Sequence, residues 1–211
     1  MKRYLVLPKT FRYFTQGEPS QSSTLIYVLH GYGQLAEFFI RKFQFLGDDY
    51  FIVAPEGMHR FYLNGSSGRV GASWMTKEER ETDISDNIRF LDTMHSEIMA
   101  NGTFDRIIIL GFSQGGATAA RWHFKGKIKA DHLLIWASVF PPDQMIEQEV
   151  KGIPSSKNAF FIGEDDEYYS AEQQIEQLHF YRSMGFESIH YKGEHDVSPE
   201  ILLDYLKKIG Q

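Results

Sequence analysis

The pentapeptide Gly111-Phe112-Ser113-Gln114-Gly115 follows directly on the apolar run Ile107-Ile-Ile-Leu110, which puts a serine where a strand should give way to a helix. That placement is the signature of a nucleophile elbow, a tight turn that presents a serine hydroxyl at the edge of a sheet. The requirement is steric, because neighbours without a Cβ let the chain reverse and the helix pack close behind. Gly111, Gly115 and Gly116 meet it, and Ala117-Thr-Ala-Ala120 suits a helix seated tightly on a sheet. A phosphate-binding loop would end in Gly-Lys followed by Ser or Thr, and this sequence does not.

A serine hydroxyl is a weak nucleophile at neutral pH and needs a base within hydrogen-bond reach, itself oriented by an acid. On elbow-bearing sheets the partners follow in the order Ser, Asp or Glu, His. Of the eight histidines, three lie late enough. His179 falls in a helical pattern and His190 within a strand, whereas His195 sits in the loop Gly193-Glu-His-Asp-Val197, from which a side chain can reach over the sheet edge. His195 is the expected base. The acid should come from Gly163-Glu164-Asp165-Asp166-Glu167. Asp166 is favoured by the spacing Gly-x-x-Asp, with Glu164 and Asp165 as competitors, and its role would be to hold the histidine tautomer and stabilise the imidazolium. Neither the ligand spacing nor the loop matches a Ca²⁺ site.

A tetrahedral oxyanion needs two preorganised N–H donors. His30-Gly31-Tyr32-Gly33, at the end of the apolar run Leu25–Leu29, is placed to supply one, so the backbones of Tyr32 and Gln114 are the expected pair. His30 itself is expected to brace this loop by hydrogen bonding. Phe61, Tyr62, Trp74 and Met75 could wall an acyl or alcohol pocket beside the elbow, with core packing an equal reading for Trp74. Aromatic walls would favour a short or medium acyl group.

The elements that must position these residues are legible as short continuous apolar runs, the pattern of strands buried on both faces of a parallel sheet. They are Leu25–Leu29, Tyr50–Ala54, Arg106–Leu110, His132–Trp136 and Ala159–Ile162, with Ser188–Tyr191 completing the set. Tyr4–Leu7 and Phe11–Phe14 alternate around Pro8 and Lys9 and predict a leading hairpin at a sheet edge. A capping box at Thr76-x-x-Glu79 should open a helix of about two dozen residues carrying Ile84, Ile88, Leu91, Met94 and Ile98 on its inner face. The last helix should start with Ser198 as N-cap and Pro199 at the first helical position. Pro55–Ser73 reads as a long loop, and such loops in compact domains are usually functional. Alternating strands and helices predict one α/β domain over residues 1–211, a mainly parallel sheet with helices on both faces and a short antiparallel leading edge.

Composition bounds the rest. The chain has 211 residues, 42% of them hydrophobic, enough to bury a substantial core. A formal charge of −6, with scattered Lys and Arg, argues against nucleic acid as a partner. With no cysteine, disulfides, thiolate metal sites and a cysteine nucleophile are excluded. No stretch reaches the length of a membrane span, and the apolar run near the N-terminus is too short for a signal-peptide core, so a cytoplasmic location is expected.

Four motifs in this order, His-Gly-Tyr-Gly at 30–33, Gly-Phe-Ser-Gln-Gly-Gly at 111–116, Gly163-x-x-Asp166, and Gly193-x-His195 followed by Pro199-Glu200, resemble the phospholipase/carboxylesterase family of α/β-hydrolases, which includes acyl-protein thioesterases. The resemblance runs over nearly all of residues 24–209. It implies the α/β-hydrolase fold and hydrolysis of carboxylic esters or thioesters without metal or other cofactor, with Ser113, Asp166 and His195 matching the family triad. Departures from the family pattern bear on the choice of acid and on substrate. The family's acid loop often continues with a proline and small apolar residues, where this chain has Glu167-Tyr168-Tyr169. The Arg69–Trp74 stretch resembles small bacterial esterases of the group more than the lipid-chain-binding thioesterases, so an acyl-protein substrate is not carried over. The expected protein is a serine carboxylesterase acting on small short- to medium-chain esters, as monomer or homodimer. A thioesterase or acyl-peptidase with the same triad, and a noncatalytic ligand-binding protein, are the alternative readings.

Overall fold

The computed structural model describes residues 1–144 and 157–210. Seven strands form one sheet in the order β1-β3-β2-β6-β7-β8-β9: β1 (Tyr13–Gln16), β2 (Thr24–Leu29), β3 (Tyr50–Pro55), β6 (Arg106–Phe112), β7 (His132–Trp136), β8 (Asn158–Gly163) and β9 (Glu187–Tyr191). All neighbours pair in parallel except the edge strand β1, which runs antiparallel to β3. This is the predicted α/β architecture, and the apolar runs became its strands. Each run is continuous because both faces are covered. Along β2, Leu25, Tyr27 and Leu29 enter one core layer and Ile26 and Val28 the other.

The first layer packs under α2 (Arg80–Asn101), α3 (Gln114–Lys125) and α4 (Ala171–Ser183), through Leu91, Met94, Ile98, Trp122, Leu178 and Tyr181. The second packs under α1 (Ala36–Phe39) and its 3₁₀ continuation Ile40–Phe43, and under α5 (Pro199–Ile209). Ser198 caps α5 by accepting from Ile201 N–H, with Pro199 at the first helical position as predicted.

Three expectations are corrected. The leading hairpin does not form: residues 1–12 carry no strand, Tyr4 to Leu7 are exposed, and only 13–16 pair with the sheet. Lys2 and Tyr4 instead bond to Glu79. The capping box at Thr76 is also absent. Thr76 Oγ1 bonds locally with Glu78, and α2 starts at Arg80 behind Glu79, which adopts φ 56° and offers no side-chain cap. Finally, Pro55–Ser73 is no open loop, since it folds into an antiparallel pair of β4 (His59–Tyr62) and β5 (Val70–Ser73).

Glu56, directly after β3, ties this hairpin to the sheet. Its carboxylate is buried and accepts from Arg12 Nε and Nη2 at 2.6 and 3.0 Å, Arg60 Nη1 at 3.1 Å and the buried Ala36 N–H at 3.3 Å. Burial works to raise the pKa of this group, but hydrogen bonds from Arg12 and Arg60 outweigh it and hold the carboxyl below its usual 4.5. One side chain thus joins the residue that leads into the edge strand, the hairpin and α1. Hydrogen bonds to charged groups contribute about 1.5 to 3 kcal/mol, so Glu56→Ala is expected to lower unfolding free energy in urea by about 2 to 3 kcal/mol.

Candidate active site

Ser113 stands between β6 and α3 with φ 51° and ψ −122°. This is a sparsely populated conformation for a residue with a Cβ, and holding one costs about 1 to 3 kcal/mol. Two bonds over-determine it: Ser113 N–H donates to Trp136 O, and Gly116 N–H to Ser113 O, both at 2.9 Å. Gly115 shows why the elbow needs glycine on its helical side. A Cβ there would collide with the carbonyl oxygens of Leu29 and His30, so the start of α3 is pressed against the end of β2.

That contact seats the His30–Gly33 loop beside the serine; a Cβ on Gly31 would lie 3.2 Å from Ser113 Cβ. The second strand of the hairpin holds this loop from the other side. Gly33 N–H donates to Ala72 O, Ala72 N–H to Gln34 O, and Gly31 N–H to Gln34 Oε1. His30 braces it from below, as expected. Its Nε2 accepts from Gly57 N–H at 3.0 Å, which leaves Nδ1–H to donate to Gly31 O at 2.8 Å. Burial lowers the pKa of His30 to about 4, the Gly31 bond and the Glu56 charge opposing it only partly, so the ring is neutral at pH 7.

Among the described residues, neither Tyr32 N–H nor Gln114 N–H donates to a protein acceptor. The second is free because a helix leaves its first N–H groups without intrahelical partners. The Gln114 side chain makes three hydrogen bonds. Its Oε1 accepts from Ser73 Oγ and Trp74 N–H, and its Nε2 donates to Met75 O at 2.9 Å. The only sequence signal for this was a polar residue at the first position of an otherwise small-residue helix face.

At the far end of the sheet, the loops after β8 and β9 touch backbone to backbone. A Cβ on Gly163 would collide with Gly193 O, while Glu164 N–H donates to Tyr191 O and Asp165 N–H to Gly193 O. This crossing brings Asp166 to His195. Asp166 is only 2% exposed, and its Oδ2 lies 2.7 Å from His195 Nδ1. A carboxylate can only accept, so Nδ1 carries the proton and Nε2 is left available. Asp166 Oδ1 accepts from Tyr168 N–H at 3.0 Å. Of the competing acids, Asp165 pairs with Lys192 at 2.9 Å and Glu164 is exposed. The imidazole of His195 lies against Phe112, the residue before Ser113, with ring centroids 4.9 Å apart.

The four expected pocket residues part company. Phe61 packs against Tyr32, ring centroids 5.1 Å apart, and Tyr62 is exposed next to it. Trp74 is a core residue instead of an open wall: it is fully buried, stacks on His30 and donates from Nε1 to His30 O at 2.8 Å. Met75 turns toward α2 and α3, where its sulfur faces Arg121 Nη1 at 3.7 Å.

The model of the phospholipase/carboxylesterase family matches residues 14–209. Among solved structures, the esterase PE8 superposes with a TM-score of 0.67 at 18% identity, covering 95% of this chain and 100% of its own. An acyl-protein thioesterase 2 from Zea mays gives 0.65 at 15% identity, covering 94% and 97%. A phospholipase/carboxylesterase from Dyadobacter fermentans gives 0.64 at 18%, covering 98% and 99%. A comparison with curated proteins finds no match. Among the described residues, no helix is long and apolar enough to cross a membrane.

Two expected outcomes follow from this geometry. Ser113→Ala and Ser113→Gly both remove the hydroxyl, but only glycine relieves φ 51°. The glycine variant should therefore melt roughly 2 to 4 °C above the alanine variant, the shift about 1 kcal/mol produces in a domain of this size. For His30, the folded pKa lies below the ordinary 6.5, so the unfolded chain binds its proton first. Stability is full above pH 6.5 and is lost as pH falls from there toward 4. His30→Gln should flatten that part of the urea-unfolding pH profile relative to the wild-type protein.

Proposed function

The chain belongs to the phospholipase/carboxylesterase family, and from that premise we propose that it is a serine carboxylesterase acting on small esters of short- to medium-chain acids through an acyl-enzyme. The observation that supports this most is the pair of His195 with the buried Asp166 at 2.7 Å, the imidazole packed on the residue that precedes a serine in elbow conformation.

Ser113 Oγ attacks the ester carbonyl carbon while His195 Nε2 takes its proton. Asp166 holds Nδ1–H and stabilises the imidazolium that forms. The carbonyl oxygen becomes an oxyanion and accepts from the free N–H groups of Tyr32 and Gln114, which stabilise charge only as it develops. Collapse breaks the bond to the alcohol oxygen, and that oxygen takes the proton from His195. Water then repeats the sequence on the acyl-enzyme with His195 as base, releasing the acid and restoring Ser113. Membership of the phospholipase/carboxylesterase family supports this reading, and every proton in it is carried by Ser113, His195, the substrate or water.

Hydrolysis of p-nitrophenyl acetate, butyrate and octanoate tests the reading, with fluorophosphonate labelling as an independent measure of an activated serine. Ser113→Ala and His195→Ala should each lower kcat/KM by at least about 10³-fold, and Asp166→Asn by a comparable factor. Glu164→Ala should stay within about twofold, since surface substitutions away from a site have small effects. Folded wild-type protein that neither turns over these esters nor labels at Ser113 would overturn the proposal.

A further inference from the structure

One neighbour of His195 has no part in the proposed triad. Tyr168 is 70% exposed, yet its ring centroid lies 4.4 Å from that of His195, with the planes inclined at 49°. Burial does not explain the placement of a side chain this exposed. Its backbone does: Tyr168 N–H donates to Asp166 Oδ1, so the carboxylate that fixes His195 through one oxygen fixes Tyr168 through the other. The next residue turns inward. Tyr169 packs against the core, and burial pushes its hydroxyl pKa up to about 12. Phe112, the other ring on His195, is likewise buried. His195 therefore has one aromatic neighbour belonging to the core and one whose ring is open to solvent.

Reaction chemistry says which part of a substrate meets that open ring. Nε2 of His195 must deliver its proton to the departing alcohol oxygen, so the alcohol half of the ester lies beside His195. The acyl carbonyl must instead reach the N–H groups of Tyr32 and Gln114. We propose that Tyr168 forms the wall of the leaving-group subsite and selects esters of flat apolar alcohols, arylmethyl and aryl alcohols above all. The inference rests on the triad reading given under Proposed function. Aromatic rings gain from offset or edge contact at centroid separations of about 4.5 to 7 Å, and a ring bound beside His195 would lie within that reach of Tyr168. Selection on the alcohol side then comes from one exposed side chain.

The test compares benzyl acetate with ethyl acetate, and ethyl butyrate with ethyl acetate, by pH-stat in the wild-type protein, Tyr168→Ala, Tyr168→Leu and Tyr168→Phe. Benzyl and ethyl alcohol are similarly poor leaving groups, so the first ratio reads contact with the alcohol and the second reads the acyl side. The benzyl-to-ethyl ratio of kcat/KM should fall roughly 3- to 10-fold in Tyr168→Ala, the range expected for one aromatic contact. Tyr168→Leu, which keeps bulk without a flat face, should fall with it, and Tyr168→Phe should hold the wild-type ratio. The butyrate-to-acetate ratio should be the same in all four proteins. Equal losses on benzyl and ethyl esters would overturn the inference, because Tyr168 would then act on His195 and not on substrate. A change in the acyl ratio, or a Phe variant as impaired as the Ala variant, would overturn it too. Fluorophosphonate labelling of the wild-type protein keeps the two proposals apart. Labelling with an unaltered benzyl preference in Tyr168→Ala sinks this inference alone, whereas no labelling and no turnover sinks the triad reading with it.

Discussion

The passage of the Gly193 carbonyl against Gly163 is the contact on which the candidate site depends. These two loops leave different strands, and nothing in either sequence segment obliges them to meet. A Cβ at Gly163 would occupy the space the carbonyl needs; without one, successive amides of Glu164 and Asp165 reach the backbone of the β9 loop. Asp166 is the next residue, and its Oδ2 meets His195 Nδ1 at 2.7 Å. The far side of the β9 loop is fixed as well, since Tyr191 OH receives from Trp136 Nε1 and donates to Asp196 O, each at 2.8 Å. A buried carboxylate is costly unless its lone pairs are used, and Asp166 spends one oxygen on His195 and the other on Tyr168.

A second constraint governs the other half of the site. The two N–H groups proposed for the oxyanion come from segments far apart in the chain, and each is left without a partner only if its surroundings are held rigid by something else. The Ser73–Met75 segment supplies that rigidity. It takes three hydrogen bonds from or to the Gln114 side chain, and Trp74 closes the base of the His30 loop. The β4–β5 hairpin, which displaces the predicted loop, is thus first of all a clamp on residues 30–34. Its tip carries Tyr62 and Leu63 into solvent, so one element combines support below with exposed apolar surface above.

What the sequence made legible follows from the range of the interactions concerned. Strands buried on both faces leave unbroken apolar runs, and five such runs match strands to within two residues, while Ser188–Tyr191 became the partly exposed edge strand β9. The elbow and the Gly-x-x-Asp and Gly-x-His loops were legible because close backbone approach leaves glycines behind. The leading hairpin failed because alternation at Tyr4–Leu7 has no partner strand to use it; β1 pairs with β3, a contact set from 40 residues away in the chain. Thr76 has the right residue types for a capping box, but Thr76 bonds locally within its own turn and Glu79 takes a left-handed conformation, so the helix starts later. Trp74 could be read as wall or core because burial of a single aromatic depends on what folds over it. The role of the Gln114 side chain was illegible for the same reason, its partners being Ser73 at the end of β5 and the Trp74 and Met75 backbones just beyond it.

These layers divide the work between buried and exposed groups. The polar atoms that would handle charge, Asp166, the His30 bracket and the N–H groups of residues 32 and 114, are set by backbone contacts inside the fold, where displacement is costly and hydrogen bonds are strong. His30 contributes by staying neutral: protonated at Nε2, it could no longer accept from Gly57 N–H. The large side chains facing outward around them, Tyr32, Tyr62 and Tyr168, are held by few contacts and can be exchanged without disturbing the buried set. In the esterase proposed here, exposed rings can change which ester is preferred while the charge-handling geometry stays fixed. Substrate preference in this chain should therefore be sought in tyrosines at the rim, and in particular where Asp166 holds one of them against His195.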